Sequence, residues 1–343
     1  MLKFQRLIHL STAILVIIAG APTTAYSQIE LTSGKKQKIA QTGYQFLSIG
    51  SNAQAAALAD AMTTMPLGSS SLFYNPAGIA HMDVFFDAMM GRNYWIADIT
   101  HNAFAVAINP WNGRYGALGV SLINVDYGEF LGTMVWPNDK GYIDTEIFTP
   151  SALALGVGYG LRLSERFAVG GQVKYATQYL GWAVTSVDEA DSLALNKAVS
   201  NAVAYDFGTL YRTGFKDLVF GMSVRNFSNE IKYVYESFQL PLTFRIGASL
   251  DLFNFWGNRP ADQSLMLMVD AAHPRSHPEH VNFGVEYSLK EMLHIRGGYM
   301  LNMDEQDLSF GLGLNLLSFA LDYAYTPFGV LGNVQCFSLR FLI

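Results

Sequence analysis

Leu153-Ala-Leu-Ala-Leu-Gly-Val-Gly-Tyr-Gly-Leu-Arg-Leu163 changes character at every position. Leu153, Leu155, Val157, Tyr159, Leu161 and Leu163 are bulky and apolar; Ala154, Gly156, Gly158, Gly160 and Arg162 between them are small or charged. Period two is the mark of an extended strand, whose successive side chains point to opposite faces. The next segment repeats it, with Phe167, Val169, Val173 and Tyr175 set against Ala168, Gly170, Gln172 and Lys174. Leu242, Phe244, Ile246 and Leu250 stand likewise against Thr243, Arg245, Gly247, Ser249 and Asp251. A soluble sandwich would also alternate, but with its apolar face inward and charges common on the other. Here the second face is Gly, Ala and Ser with scattered charge. That suits a lumen packed closely against something, with the bulky set facing lipid.

Working outward, about fourteen such segments are expected, the first near 83–91 and the last near 334–343. The connections after odd segments include 126–148, 179–197 and 228–240; those after even ones include 110–113, 164, 214–216 and 290–291. Long loops on one side and minimal turns on the other are the habit of bacterial outer-membrane barrels. The connection 254–262 is longer than this pattern wants. An even strand count leads us to expect both termini on the periplasmic side. The last segment puts Phe337, Leu339, Phe341 and Ile343 on one face and Cys336, Ser338 and Arg340 on the other. It resembles the C-terminal signal read by the outer-membrane insertion machinery. Tyr94, Trp95, Trp111, Trp136, Tyr179, Trp182, Tyr323 and Tyr325 lie near segment ends, as interfacial aromatic girdles would. The fold class expected is therefore all-β, a transmembrane β-barrel of about fourteen antiparallel strands with a small helical plug.

The bulk numbers agree. Charged residues are 15% of the 343, well below the roughly 25% of soluble proteins. A net charge of -6 offers nucleic acid no basic patch. Lys3 and Arg6, the apolar run Leu7 to Ala19 and the small-x-small site Ala25-Tyr-Ser27 read as an export signal, cut before Gln28. No Cys near that site would anchor a lipoprotein, and no later run is long and apolar enough for a spanning helix. The single Cys336 excludes an internal disulfide. The division expected is signal peptide 1–27, plug 28–82 and barrel 83–343.

The plug segment is unlike the rest. Asn52 to Met62 is Ala-rich with Leu58 and Met62 at helical spacing, so a short, slim helix is expected. Asn75-Pro76 favours an extended-to-turn start, and Gly78 permits a tight reversal.

Phe46-Leu47-Ser-Ile-Gly50, the Ala-rich run and Phe73-Tyr-Asn75-Pro76-Ala77-Gly78, in that order, resemble the opening of the PorV/PorQ family of outer-membrane proteins. The Asn-Pro-Ala-Gly element is shared more widely with FadL-type channels. The resemblance continues through Leu240-Pro-Leu-Thr-Phe-Arg-Ile-Gly247, Arg296-Gly-Gly-Tyr299, Phe310-Gly-Leu-Gly313 and Leu321 to Gly329, nearly the whole mature chain. It implies a fourteen-stranded FadL-like barrel with an N-terminal hatch. It also implies a role in type IX secretion, receiving or escorting cargo with a C-terminal sorting domain. One departure stands out: where the family usually carries Arg in a Gly-Ala-Arg-Ala run, this chain has Asn52-Ala-Gln54-Ala, so the hatch would lack a charged contact to the wall.

The charges expected on the lumen face are Arg162, Lys174, Arg225, Arg245, Asp251, Asp270, Glu286, Arg296, Asp322 and Arg340. They mix both signs, which favours a network bracing strands and plug over a conduction path. His273, His277 and His280 sit in a Pro-broken loop and share no regular face, which argues against a metal site. No nucleophile elbow, zinc-protease or phosphate-loop motif occurs, and His294 falls on the lumen face, so no enzyme and no cofactor are expected. Two readings of function remain. One is a secretion component whose long loops contact cargo or secretion-system subunits. The other is a FadL-like channel for hydrophobic small molecules; a purely structural outer-membrane scaffold is a third possibility.

Overall fold

The structure, a computed structural model, describes residues 42–187, 193–233, 236–257, 260–303 and 306–343. The expected signal segment lies outside the described residues.

Fourteen strands of the described residues close into one barrel. In chain order they are β1 (Phe86–Tyr94), β2 (Thr100–Ile108), β3 (Ala117–Asp126), β6 (Ser151–Arg162), β7 (Phe167–Val187), β8 (Leu193–Arg212), β9 (Val219–Phe227) and β12 (Thr243–Asp251). The series continues with β13 (Gln263–Pro274), β14 (His280–Leu289), β15 (Leu293–Leu301), β16 (Leu308–Leu316), β17 (Phe319–Pro327) and β18 (Asn333–Leu342). The numbers skipped are two separate hairpins, β4 (Phe130–Val135) with β5 (Tyr142–Phe148), and β10 (Ile231–Tyr233) with β11 (Glu236–Phe238). Every barrel neighbour is antiparallel, and β1 pairs with β18, so Asp87 faces Leu342 and Tyr94 faces Gln335. Closure leaves no free edge, the condition for a sheet to survive where water cannot satisfy its backbone.

The faces divide as the alternation requires. On β6, Val157 is 57% exposed on the outer surface, while Ala154 is 3% exposed inside. Across the ladders Val157 meets Val120 and Val173, and Gly158 meets Gly119 and Gln172, so bulky rows run round the outside and small rows round the lumen. One helix, α1 (Ala53–Ala57), and three short 3-10 turns lie in the lumen, formed by the residues preceding β1.

Three expectations change at the loops. Residues 126–148 and 228–240 carry the hairpins β4–β5 and β10–β11. β7 and β8 run 21 and 20 residues, roughly twice the 9–11 that cross a bilayer, so their paired ends stand well beyond it. The connection 254–262 begins with α2 (Leu252–Phe255), capped by Asp251, whose carboxylate accepts from the Phe253 and Asn254 amides at 2.9 and 3.3 Å. That helix is why this connection exceeds a turn.

Candidate functional site

The lumen segment threads the barrel from one end to the other. It starts at the long-loop end, where Thr42 bridges Gln239 and the Tyr44 ring stacks on Phe238 at 6.0 Å. It leaves at the opposite end, where the Phe86 and Ile343 backbones bond to each other. The even strand count therefore fixes the ends of the barrel but says nothing about where residues before 42 lie.

Along this path each turn is held by a wall group. Phe46 and Leu47 are buried in a 3-10 turn, Gln45–Ser48, and the Leu47 carbonyl accepts from an Arg225 Nη at 3.1 Å. The Gly50 carbonyl accepts from Asn93 Nδ2 at 2.8 Å. Asn52 caps α1, its Oδ1 accepting from the Ala55 amide at 3.0 Å. Ala53 and Ala57 then pack on Ala324 and Cys336, a contact only small side chains allow. The helix stops short of the Met62 expected because Ala59 and Asp60 turn left-handed, at φ 51° and 57°. That reversal brings Thr63 to the wall, where its amide and hydroxyl donate to Asp270 Oδ2 at 2.9 and 2.6 Å.

Farther on, Ser69 donates its amide and hydroxyl to Asp87 Oδ1 at 3.1 and 2.5 Å, and Arg340 closes on the other oxygen of Asp87. Asn75 is the pivot of the last turn, Pro76–His81. Its Oδ1 accepts from the Ala77 amide at 3.1 Å, while Nδ2 donates to the Thr63 and Thr209 carbonyls at 2.7 and 3.1 Å. Pro76 sits at the start of that turn, where a missing N–H costs nothing. The wall has glycine where this turn touches it. A Cβ at Gly170 would enter the Pro76–Ala77 backbone, and one at Gly208 would strike the Asn75 amide. Ala77 and Gly78 are fully buried behind that contact. At the exit, His81 is buried at the end of the last turn.

The ten expected lumen charges separate into groups. Arg296 joins Glu286 (2.5 Å) and Asp322 (2.5 Å) into one buried network. Gln54 of α1 approaches Glu286 only at 3.5 Å, so this neutral residue adds little, and the charge comes from the wall. Lys174 pairs with Asp206 at 2.8 Å beside a bulge in β9, where Asn226 takes φ 60° and its amide donates to Asp206 at 2.7 Å. Arg225, Asp270 and Arg340 hold the lumen segment or its anchors as described, and Arg245 donates an Nη to the Asp60 carbonyl at 2.6 Å. The last two stand at the ends of their strands: Arg162 is exposed at the mouth, and Asp251, 3% exposed and on the inward parity of β12, caps α2. The residues missed by sequence reasoning are Asp87, Asn93 and Asp206, each inward by strand parity.

The histidines scatter. His273 faces Glu279 at 3.0 Å, both side chains more than half exposed, while His277 and His280 line a cavity. Ser288 Oγ lies 2.7 Å from His294 Nδ1, and Asn315 Nδ2 lies 2.9 Å from its Nε2. The same hydroxyl also faces the Glu286 carboxylate at 3.5 Å, which places this set at the margin of the ion network.

The cavity holds about 380 Å³ and opens at the long-loop end between the lumen segment and the wall. Ile49, Ala56, Trp95, Met300, Met303 and Val334 give it an apolar side; Arg225 and Arg245 form part of its floor. Trp95, expected in a girdle, instead packs edge-on to Phe328 at 4.9 Å and lines this cavity.

Comparison with known proteins follows this geometry. The family model described as type IX secretion system protein PorV matches residues 32–263. No match was found among curated proteins. Among solved structures, the toluene transporter TbuX of Ralstonia pickettii is 10% identical with a TM-score of 0.58, covering 86% of this chain and 98% of that one. The toluene transporter TodX of Pseudomonas putida is 10% identical at 0.55, covering 89% and 98%. A FadL homologue of Pseudomonas aeruginosa is 13% identical at 0.54, covering 89% and 99%. At these identities the likeness is one of fold.

Proposed function

Because this chain belongs to the family of the type IX secretion system protein PorV, we propose that it serves that system from the outer membrane by binding, with its long-loop end turned to the cell exterior and the short turns to the periplasm. The observation that carries this reading is the family match across residues 32–263. The form of the barrel supports it. A lumen crossed by anchored backbone suits a docking platform better than an open pore, and three paired extensions at one end offer it a surface. On β4–β5, Leu131, Val135, Tyr142 and Ile147 are exposed together on hairpin strands outside the barrel sheet. The partners proposed are secreted proteins bearing a C-terminal sorting domain, or subunits of the secretion system.

Deletion of the gene should retain a defined group of secreted proteins inside the cell, measured by quantitative proteomics of medium, surface and periplasm. Complementation with a chain whose residues 131–147 are replaced by a short Gly-Ser linker should insert normally yet fail to restore their release. An unchanged surface and secreted proteome in the deletion strain would defeat the reading.

A further inference from the structure

At the short-turn end, the connection that follows β12 is tied to its neighbour. α2 lies against the turn between β8 and β9, and two hydrogen bonds join them. Lys216 Nζ donates to the Phe255 carbonyl at 2.6 Å, and Asn254 Nδ2 donates to the Asp217 carboxylate. The Lys216 ammonium also stands over two rings, 4.9 Å from the Phe255 centroid and 5.9 Å from that of Phe215. A third piece comes from the turn between β6 and β7. Its Arg166 guanidinium covers Gly214, where φ is 78° and a Cβ would sit 3.0 Å from the Arg166 Cζ. The Arg212 amide donates to the Arg166 carbonyl at 2.8 Å and keeps the two turns side by side.

The shelf so built is aromatic and basic at once. Phe215, Phe255 and Trp256 are 58%, 43% and 64% exposed. Arg166 and Lys216 are exposed too, and among the described residues neither makes an ion pair. Of the acids on these elements, Asp217 accepts from Asn254, Asp251 caps α2, and Glu165 pairs with neither cation. Arg162 and Arg212, exposed at the adjoining ends of β6 and β8, add positive charge to the same side of the rim. Aromatic rings left open in this way are favoured at the headgroup level of a bilayer, where the short turns of a spanning barrel end. Cations whose stems lie along such rings keep their heads in water and attract anionic headgroups. Phosphate oxygens match both the guanidinium fork and the ammonium point charge. We propose that this shelf binds an anionic phospholipid, with its phosphate between Arg166 and Lys216 and its glycerol and upper acyl chains against Phe215, Phe255 and Trp256. The extra length of the connection after β12 then has a use, since it brings two of the three rings to the site. The inference rests on the barrel spanning a bilayer and not on the secretion reading.

The test places the full chain in nanodiscs of equal parts phosphatidylglycerol and phosphatidylcholine, and native mass spectrometry counts the lipids that leave with it. Nanodiscs offer the lipid to both ends, so the result does not depend on which end faces the periplasm. Phosphatidylglycerol should be retained over phosphatidylcholine by about five-fold to thirty-fold, the effect of one to two engaged cations. Arg166→Gln removes a side chain that makes no hydrogen bond among the described residues, and should by itself cut the preference about five-fold. Adding Lys216→Gln should erase what is left. Lys197→Gln, on the paired extension beyond the bilayer, should leave the preference unchanged, with heat-modifiable gel migration confirming the fold of each variant. Trp256 supplies a local reading: the part of the fluorescence lost in Trp256→Phe should be quenched more strongly by brominated phosphatidylglycerol than by brominated phosphatidylcholine. Equal retention of the two lipids by the parent, the result if the patch serves an acidic soluble partner instead, would overturn the proposal. So would a preference undiminished in Arg166→Gln, an equal loss in Lys197→Gln, or equal quenching by the two brominated lipids.

Discussion

Arg296→Met is expected to lower the free energy of unfolding by about 3–5 kcal/mol, the cost of leaving buried charges without their partner. Arg296 is 5% exposed and is the only cation linking Glu286 and Asp322 in the network of described residues. Glu286 faces it directly across β14–β15, but Asp322 lies two strands away on β17. The side chain reaches that far because Gly313 stands between them. A Cβ there would sit 2.5 Å from Arg296 Nη1 and 2.6 Å from Asp322 Oδ1. Removing the guanidinium leaves two carboxylates facing one another in a space that water reaches poorly. Replacing all three at once, Arg296→Met with Glu286→Gln and Asp322→Asn, should restore most of the loss, since a fully neutral substitute removes the unpaired charge as well as the pair. Urea unfolding in lipid vesicles measures both. A loss below about 1 kcal/mol in the single variant, the scale of an exposed pair, would show that this network does not brace the wall.

Gly170→Leu combined with Gly208→Leu is expected to unseat the last turn of the lumen segment. The obstacle at Gly170 is the backbone of Pro76 and Ala77, and at Gly208 it is the Asn75 amide whose two ends already bond Ala77, Thr63 and Thr209. Backbone cannot rotate aside as a flexible side-chain tip would. Overpacking of this kind costs about 1–3 kcal/mol per site, which the barrel sheet survives but the seated turn does not. The variant should conduct ions in planar bilayers where the parent is nearly silent, and its residues 42–82 should become sensitive to protease. Gly297→Ala is the matched control, because a Cβ there meets only the Ser309 carbonyl, at 4.0 Å. Silence and protease resistance equal to the parent would mean that the turn is not what closes the lumen.

Much of this architecture is visible in the chain because the two faces of each strand answer to different surroundings. Where lipid stands on one side and packed backbone on the other, the alternation is stark, and an expected strand nearly coincides with the observed one: 334–343 against Asn333–Leu342. The contrast fades where both faces meet water. On β4, Leu131, Thr133 and Val135 face one way and Gly132 and Met134 the other, with neither set marking an inside, so the hairpin read as loop. The lumen charges were legible by parity, but their partners were not. Nothing in the sequence ties Thr63 to Asp270 or Ser69 to Asp87, since these contacts join a segment without periodicity to a wall known only after closure. The cavity was invisible for the same reason. Its floor draws on β9 and β12, its apolar side on β15 and on residues beyond β1, and only the path of residues 45–60 brings them together.

The account rests on the claim that residues 42–82 occupy the lumen of a closed outer-membrane barrel. The native Cys336, buried on the lumen face of β18 against Ala53 and Ala57, allows a direct test. Ala53→Cys and Ala57→Cys are introduced singly, the cells are oxidised, and outer membranes are analysed by non-reducing electrophoresis and peptide mass spectrometry, with Cys336→Ser as the control. The account predicts that at least one variant forms a disulfide joining the lumen segment to β18 and that Cys336→Ser abolishes it. If both thiols instead remain free and react with a membrane-impermeant maleimide, the segment lies outside the barrel and the claim is contradicted.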